Sequence, residues 1–196
     1  MNSWRRIGIG ACVATLAIGL PAFAYEYPLS SSAIRDAYFK GTGTGRGGAD
    51  FLAEYSHKIP ELTAGAYTSI AKIETPYAQV AERAAETLSY TADDAVRDFL
   101  GKPEQFRIYL DLCGKSGGEK AFDVKVTQHG KEIAPDSVHR SPYYAAQDPY
   151  TRLPRIGEHI EMDFRAGKIA SETLTIKIDV PDGEQAETTF DLATIK

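Results

Sequence analysis

The 196-residue chain has little cysteine and almost no tryptophan, with two residues of the first type and one of the second. So few cysteines exclude a disulfide-rich scaffold. The chain also lacks a basic excess, because 22 Lys and Arg stand against 27 Asp and Glu, and this argues against a nucleic-acid-binding protein. With 43% hydrophobic residues, the composition is that of a globular protein, which excludes collagen-like, coiled-coil and highly charged disordered chains.

A basic start and a short apolar run open the chain. Arg5 and Arg6 precede the mostly apolar stretch 7–20, and small residues stand at the positions that a signal peptidase reads before Tyr25. This pattern predicts a secretory signal peptide over residues 1–24, because the apolar run is too short to span a bilayer comfortably. The alternative is a retained membrane anchor or a buried N-terminal helix. We expect export to the periplasm or the extracellular space, with no membrane insertion after cleavage.

Cleavage would leave a single cysteine, Cys113, because Cys12 lies in the predicted leader. One cysteine cannot form an internal disulfide, so folding would rely on the burial of apolar side chains. Cys113 follows an alternating apolar segment, which favours a buried, inert thiol over a nucleophile.

Helical spacing of apolar residues dominates the part of the chain that follows the leader. The patterns predict four helices and one strand: helices near 33–39, 49–59, 78–88 and 91–100, and a strand over 67–75. Glycines from Gly41 onward are predicted to end the first helix. Thr91, followed by the carboxylates of Asp93 and Asp94, is a good signature for the N-terminus of the last helix. We therefore define 25–103 as a helical N-terminal region with one strand.

From residue 104 onward, apolar residues recur at every second position. Five segments show this alternation: 106–112, 122–126, 160–164, 174–180 and 190–192. One apolar side and one polar side are typical of antiparallel sheets with one packed face and one face in water. We predict a β-sandwich over 104–196, immunoglobulin-like in outline, and an α+β protein whose N-terminal helices pack on that sandwich.

Several short pieces of the chain carry a resemblance to known proteins. These pieces are LS at 29–30 with IRDAYF at 34–39, TPYAQV at 75–80, and GKEI at 130–133 with SVH at 137–139. They resemble an uncharacterised family of secreted bacterial proteins, over most of the chain after the leader. The resemblance implies export and a bacterial origin, and it implies no activity, substrate or catalytic residue.

A five-residue motif around Ser116 matches the Gly-x-Ser-x-Gly pattern of α/β-hydrolases. That nucleophile elbow needs a helix after the serine, whereas an alternating strand follows here. The same residues, 114–118, form an ordinary glycine-rich hairpin loop. An exported serine hydrolase that uses Ser116, with His129 or His139 as its base, is the alternative function.

Two further patterns lack the context that their chemistry requires. The glycines of 43–48 follow a helix rather than the strand of a dinucleotide site, so we predict no cofactor. The four histidines are scattered without zinc-site spacing. One turn contains the three acidic residues Asp179, Asp182 and Glu184, so calcium binding there stays an open alternative. The full spacing of a calcium-binding loop is missing, and we predict no metal site.

The segment 139–150 interrupts the alternation between two predicted strands. It gathers a histidine, an arginine and three tyrosines in a proline-stiffened loop, and these are the predicted binding residues: His139, Arg140, Tyr143, Tyr144 and Tyr150. Loops on a rigid sandwich commonly carry recognition, and Tyr and Arg are favoured at contact surfaces. The alternative is that the tyrosines fold back over an open end of the sandwich, which is the commoner role of aromatic residues in long loops.

The leading hypothesis from the sequence is an exported, non-catalytic protein that binds a protein or cell-envelope partner through its surface. Enzymatic activity is not favoured, because no motif has the structural context that catalysis requires.

Overall fold

The computed structural model describes residues 25–43, 53–59, 69–113, 122–144, 156–179 and 185–196. Its α-helices are α1 (Ser31–Gly43), α2 (Pro76–Glu86) and α3 (Ala92–Phe99). Its strands are β1 (Ser56–Ile59), β2 (Ser69–Glu74), β3 (Gln105–Cys113), β4 (Asp123–Gln128), β5 (Lys131–Glu132), β6 (Ser137–Tyr144), β7 (Ile156–Arg165), β8 (Thr173–Asp179) and β9 (Gln185–Asp191). The predicted α+β class is confirmed.

The strands of the described residues form two antiparallel sheets. The first has the order β1-β2-β3-β7-β6, and the second has the order β5-β4-β8-β9. The five-stranded sheet therefore joins β1 and β2, from the region 25–103, to strands from the region 104–196. The buried faces of both sheets contribute to a common hydrophobic core, in which Phe106, Phe164 and Phe190 are fully buried.

Strict alternation in the sequence identified the central strands correctly. In β8, for example, Leu174, Ile176 and Ile178 are buried while their neighbours are exposed or half-buried. Each of these apolar side chains contributes on the order of 2 kcal/mol when it leaves water. Among the described residues, no helix is long and apolar enough to cross a membrane.

The predicted helix over 49–59 is wrong in its described part. Residues Ala53–Tyr55 form one turn of 3-10 helix, and Ser56–Ile59 form β1, which pairs with β2. Buried Tyr55 and Ile59 have the four-residue spacing of a helix face, but that even spacing also places two residues on one face of a strand. His57 lies between them and stacks on Phe190 with 4.1 Å between ring centroids.

The segment 25–30 is fixed to both sheets near their ends. The Tyr25 backbone N–H donates to the carbonyl of Leu192 beyond β9 at 2.9 Å, and its phenol donates to the carbonyl of Ala166 beyond β7 at 2.9 Å. The Leu29 N–H donates to the carboxylate of Glu104 at 2.9 Å, and burial raises the pKa of that carboxyl group. Residue 25, the predicted first residue after cleavage, is thus part of the fold.

Thr75 joins β2 to α2 and is fully buried. Its hydroxyl accepts from the Ala78 N–H at 3.1 Å as the N-cap of α2, and it donates to the carbonyl of Lys196 at 2.7 Å. Pro76 occupies the first helical position, where its missing N–H costs nothing. Thr91 caps α3 reciprocally with Asp94, as the sequence signature indicated.

We expect Thr75→Val to lower the free energy of unfolding by about 1–2 kcal/mol, because it removes one cap and one buried hydrogen bond without changing the size of the side chain. Thr75→Ser keeps the hydroxyl and is the matched control. Urea unfolding followed by far-UV circular dichroism measures both. Equal stability of the valine variant and the wild type would show that the hydroxyl contributes nothing.

Candidate binding surface on the five-stranded sheet

The predicted binding loop over 139–150 is a strand in its described part. Residues Ser137–Tyr144 form β6, which pairs with β7 from Ser137↔Asp163 to Tyr144↔Ile156. The sequence analysis missed this strand because β6 is an edge strand among the described residues. Polar residues and Pro142 are tolerated in such a strand, which needs no full apolar face. Residue Tyr150 lies outside the described residues.

The two described side chains of the predicted site lie on opposite faces of β6. His139 is opposite Glu161 on the outer face, which is the face turned away from the core. Arg140 is on the inner side, where it donates to the Glu158 carboxylate and to the carbonyl of Phe122, both at 3.0 Å. Phe122 directly precedes β4, so Arg140 connects β6 of the first sheet to the start of β4 in the second sheet. Tyr143 and Tyr144 follow in the same strand, and His139 and Arg140 do not share one face.

The outer face of the five-stranded sheet carries a continuous set of polar side chains. It follows from the alternation in β3, whose residues Phe106, Ile108 and Leu110 point into the core. The register of the sheet places the following residues on the outer face: Lys72 and Glu74 of β2, Arg107, Tyr109 and Asp111 of β3, His159, Glu161 and Asp163 of β7, and Ser137 and His139 of β6. The sequence predicted β2, β3 and β7 as strands, but neither β6 nor this set of residues.

One end of the outer face is a chain of charged groups. Arg107 lies between the carboxylates of Glu74, at 3.5 Å, and Asp163, at 3.2 Å. The Ser137 hydroxyl donates to Asp163 at 2.6 Å. This chain of contacts crosses four neighbouring strands and fixes the Ser137 side chain of β6 to the middle of the sheet.

Two carboxyl groups, the buried Glu74 and the half-buried Glu82, form a pair beside this chain. Glu74 is 6% exposed and accepts a hydrogen bond from the Tyr109 phenol at 3.0 Å. Burial is the main cause, and the contact with Glu82 of α2 is the second, of a rise in the pKa of Glu74 to about 7. Burial also acts to raise the pKa of Glu82, but hydrogen bonds with Glu74 and with Lys72, whose ammonium lies 2.6 Å away, outweigh it and lower that pKa. Below about pH 7 the pair therefore holds one shared proton, which it loses as the pH rises further.

An aspartate and a histidine form a second polar pair on the outer face. The Asp111 carboxylate lies 2.7 Å from Nδ1 of His159, and the His159 ring is 6.2 Å from the ring of Tyr109. A carboxylate at Nδ1 fixes the orientation of an imidazole and leaves Nε2 to face other groups. Such a histidine can bind a polar ligand, and no serine, threonine or cysteine of the described residues is hydrogen-bonded to it.

Comparison with known proteins gives no relative. No family model, no curated protein and no solved structure matches the chain.

The other predicted chemical motifs do not join this surface. Ser116 and the glycine loop 114–118 lie outside the described residues, as do Asp182 and Glu184. Asp179 pairs with Lys125 at 3.3 Å on the other sheet, and His129 pairs with Glu172 there. In the part of the chain that the structure describes, no group of three His, Cys, Asp or Glu side chains is arranged to hold a metal ion.

Proposed function

We propose that the chain is an exported, non-catalytic protein that binds a protein or cell-envelope partner through β6 and the outer face beside it. Its predicted leader supports export to the periplasm or beyond the cell, and the resemblance to secreted bacterial proteins supports the same destination. We further propose that the three helices pack on a β-sandwich with an immunoglobulin-like outline.

The observation that carries this proposal is the position of β6. Among the described strands β6 lies at the end of its sheet, and its Val138 side chain is 48% exposed although Val138 is on the inner side, opposite the buried Met162. His139 is exposed next to it, while Arg140 and Ser137 are bonded to the sheet. A rigid backbone that presents exposed side chains is suited to recognition, because little conformational entropy is lost on binding.

Capture of a partner from cell envelopes tests the proposal. The bait is the chain from residue 25 to 196, and the test variant is Val138→Asp/His139→Asp, which adds two charges to β6. The matched control is Thr173→Asp/Thr189→Asp, which adds two charges to exposed positions of the other sheet. We expect the wild type and the control to capture the same protein, and the β6 variant to capture at least about tenfold less, as expected when an interface centre gains charge.

Two outcomes would contradict the proposal. Equal capture by the β6 variant would place the contact elsewhere, provided that circular dichroism shows the same fold for all three proteins. Hydrolysis of an ester or peptide panel by the wild type, abolished in Ser116→Ala, would establish the serine hydrolase instead. A Tyr143→Ala/Tyr144→Ala variant tests the remaining part of the predicted binding site in the same assay.

A further inference from the structure

The peptide bond between Ala24 and Tyr25, which the sequence predicts as the cleavage site of the leader, adjoins a buried residue. Tyr25 supplies the nitrogen of that bond and is 6% exposed. Its N–H donates to the carbonyl of Leu192, and its ring packs edge-on against Phe106 with 5.8 Å between ring centroids. The Tyr25 side of the bond is therefore fixed to the core of the folded protein.

The residues that follow Tyr25 are held in the same way. Residues 25–30, which we call the N-terminal strap, are bonded to groups that precede β3 and follow β7. The Tyr25 phenol donates to the carbonyl of Ala166, and the Leu29 N–H donates to the carboxylate of Glu104. Leu29 is 3% exposed and Glu104 is 8% exposed. The strap is thus anchored at both of its ends.

A peptidase must gain access to both sides of the bond that it cuts. Hydrolysis adds water across the amide: the carbonyl carbon of Ala24 becomes a carboxylate, and the Tyr25 nitrogen accepts a proton and leaves as an amine. Recognition of an extended segment uses main-chain hydrogen bonds along it. The N–H and the side chain of Tyr25 are engaged in the fold, so the N-terminal strap must detach before a peptidase can bind it.

Detachment of the N-terminal strap is rare in the native protein. It exposes the side chains of Tyr25 and Leu29 and breaks the hydrogen bonds that these two residues donate to Leu192, Ala166 and Glu104. Since each of these contacts stabilises the folded state, we expect fewer than about one molecule in a thousand to have an open strap. Proteolysis of a native protein follows the population of its open form, so folding slows cleavage accordingly.

We infer that removal of the leader precedes folding: the bond before Tyr25 is cut while the chain is unfolded, and docking of the N-terminal strap then closes the cleavage site. This inference rests on the export in the proposed function and deepens it, because it requires a route that carries the chain across the membrane unfolded. A chain that folds first keeps its leader.

The order of addition tests the inference on the full chain, residues 1–196, with a purified signal peptidase in detergent. In the first arm, the peptidase is present when the chain is diluted from urea. In the second arm, it is added after refolding. We expect cleavage in the first arm, with a product that begins at Tyr25 by mass spectrometry, and cleavage slower by at least about a hundredfold in the second.

The matched control carries a flexible spacer of glycine and serine between Ala24 and Tyr25. The spacer moves the bond away from the N-terminal strap and leaves the residues before the bond unchanged. This variant should be cleaved at similar rates in both arms, with the same circular dichroism as the refolded wild type. Cleavage of the refolded wild type as fast as the spacer variant would overturn the inference and leave export intact. No cleavage after Ala24 in any arm would contradict export, and the inference with it.

Hydrogen exchange of the cleaved product gives a second readout, which does not require the chain to refold with its leader attached. The Leu29 amide of this product should exchange at least about a hundredfold more slowly than in an unstructured peptide, because it donates to Glu104 in the closed strap. Exchange of Leu29 at the rate of an unstructured peptide would show that the N-terminal strap is open in the native protein and would overturn the inference.

Discussion

Gly41→Ala should lower the free energy of unfolding by about 3 kcal/mol or more, the largest effect that we expect from a single methyl group in this protein. Gly41 lies in α1 on the face that packs against α2, in line with buried Ile34 and Ala37. A Cβ atom at Gly41 would lie 2.0 Å from the carbonyl oxygen of Ala81. Since that oxygen belongs to the α2 backbone, the two helices would have to separate.

Gly43→Ala is the matched control, because it adds the same methyl group to the same helix. An added Cβ at Gly43 meets nothing within 4 Å. Alanine also favours helix over glycine by up to about 1 kcal/mol, so this variant should be neutral or slightly more stable. Thermal and urea unfolding of both variants measure the difference. Equal stability of the two alanine variants would show that the close approach of α1 to α2 is not required.

The role of Gly41 shows why the end of α1 was predicted wrongly. The sequence analysis ended this helix at the glycines from Gly41 onward, since glycine weakens helices and favours loops. The structure continues α1 to Gly43. A glycine that allows close helix packing and a glycine that ends a helix look the same in a single sequence, because the difference lies in a contact with Ala81, forty residues away.

The sequence predicted elements whose signal is local. The alternation of β3 and β8 and the cap at Thr91 each depend on neighbouring residues, and all three are confirmed. β6 was missed because an edge strand does not need an apolar face, and Pro142 looks like a loop residue. β1 was missed because the spacing of Tyr55 and Ile59 suits a helix and a strand equally.

The polar face could not be predicted as a site, although its residues were visible. Arg107, Tyr109 and Asp111 are simply the polar positions of one alternating strand, and their partners come from β2, β7 and α2. The contact between Glu74 and Glu82 requires the turn between β2 and α2 to bring helix and strand together. Strand register and helix placement are tertiary properties. The alternation of apolar and polar residues therefore indicates a solvent-facing side of the sheet, but not which polar side chains contact each other on it.

The Glu74–Glu82 pair should make the protein less stable as the pH rises from about 5 to about 8. The pKa of Glu74 is raised to about 7 in the folded state from an ordinary value of 4.5. The unfolded chain would therefore lose this proton at lower pH than the folded chain. Between the two pKa values folding takes up a proton, so a rise in pH lowers the free energy of unfolding. The corresponding loss is about 1–3 kcal/mol, complete above the folded-state pKa.

Glu74→Gln replaces the shared proton by a permanently neutral amide. We expect it to match the wild type near pH 5 and to be more stable by about 1–3 kcal/mol near pH 8, because no second carboxylate forms beside Glu82. Glu86→Gln, at an exposed position of α2, is the control. Its free energy of unfolding should depend on pH as that of the wild type does. Urea unfolding across this pH range measures all three. Because Lys72 and Arg107 also face the pair, a wild type that gains stability toward pH 8 would show that these cations hold both carboxylates ionised.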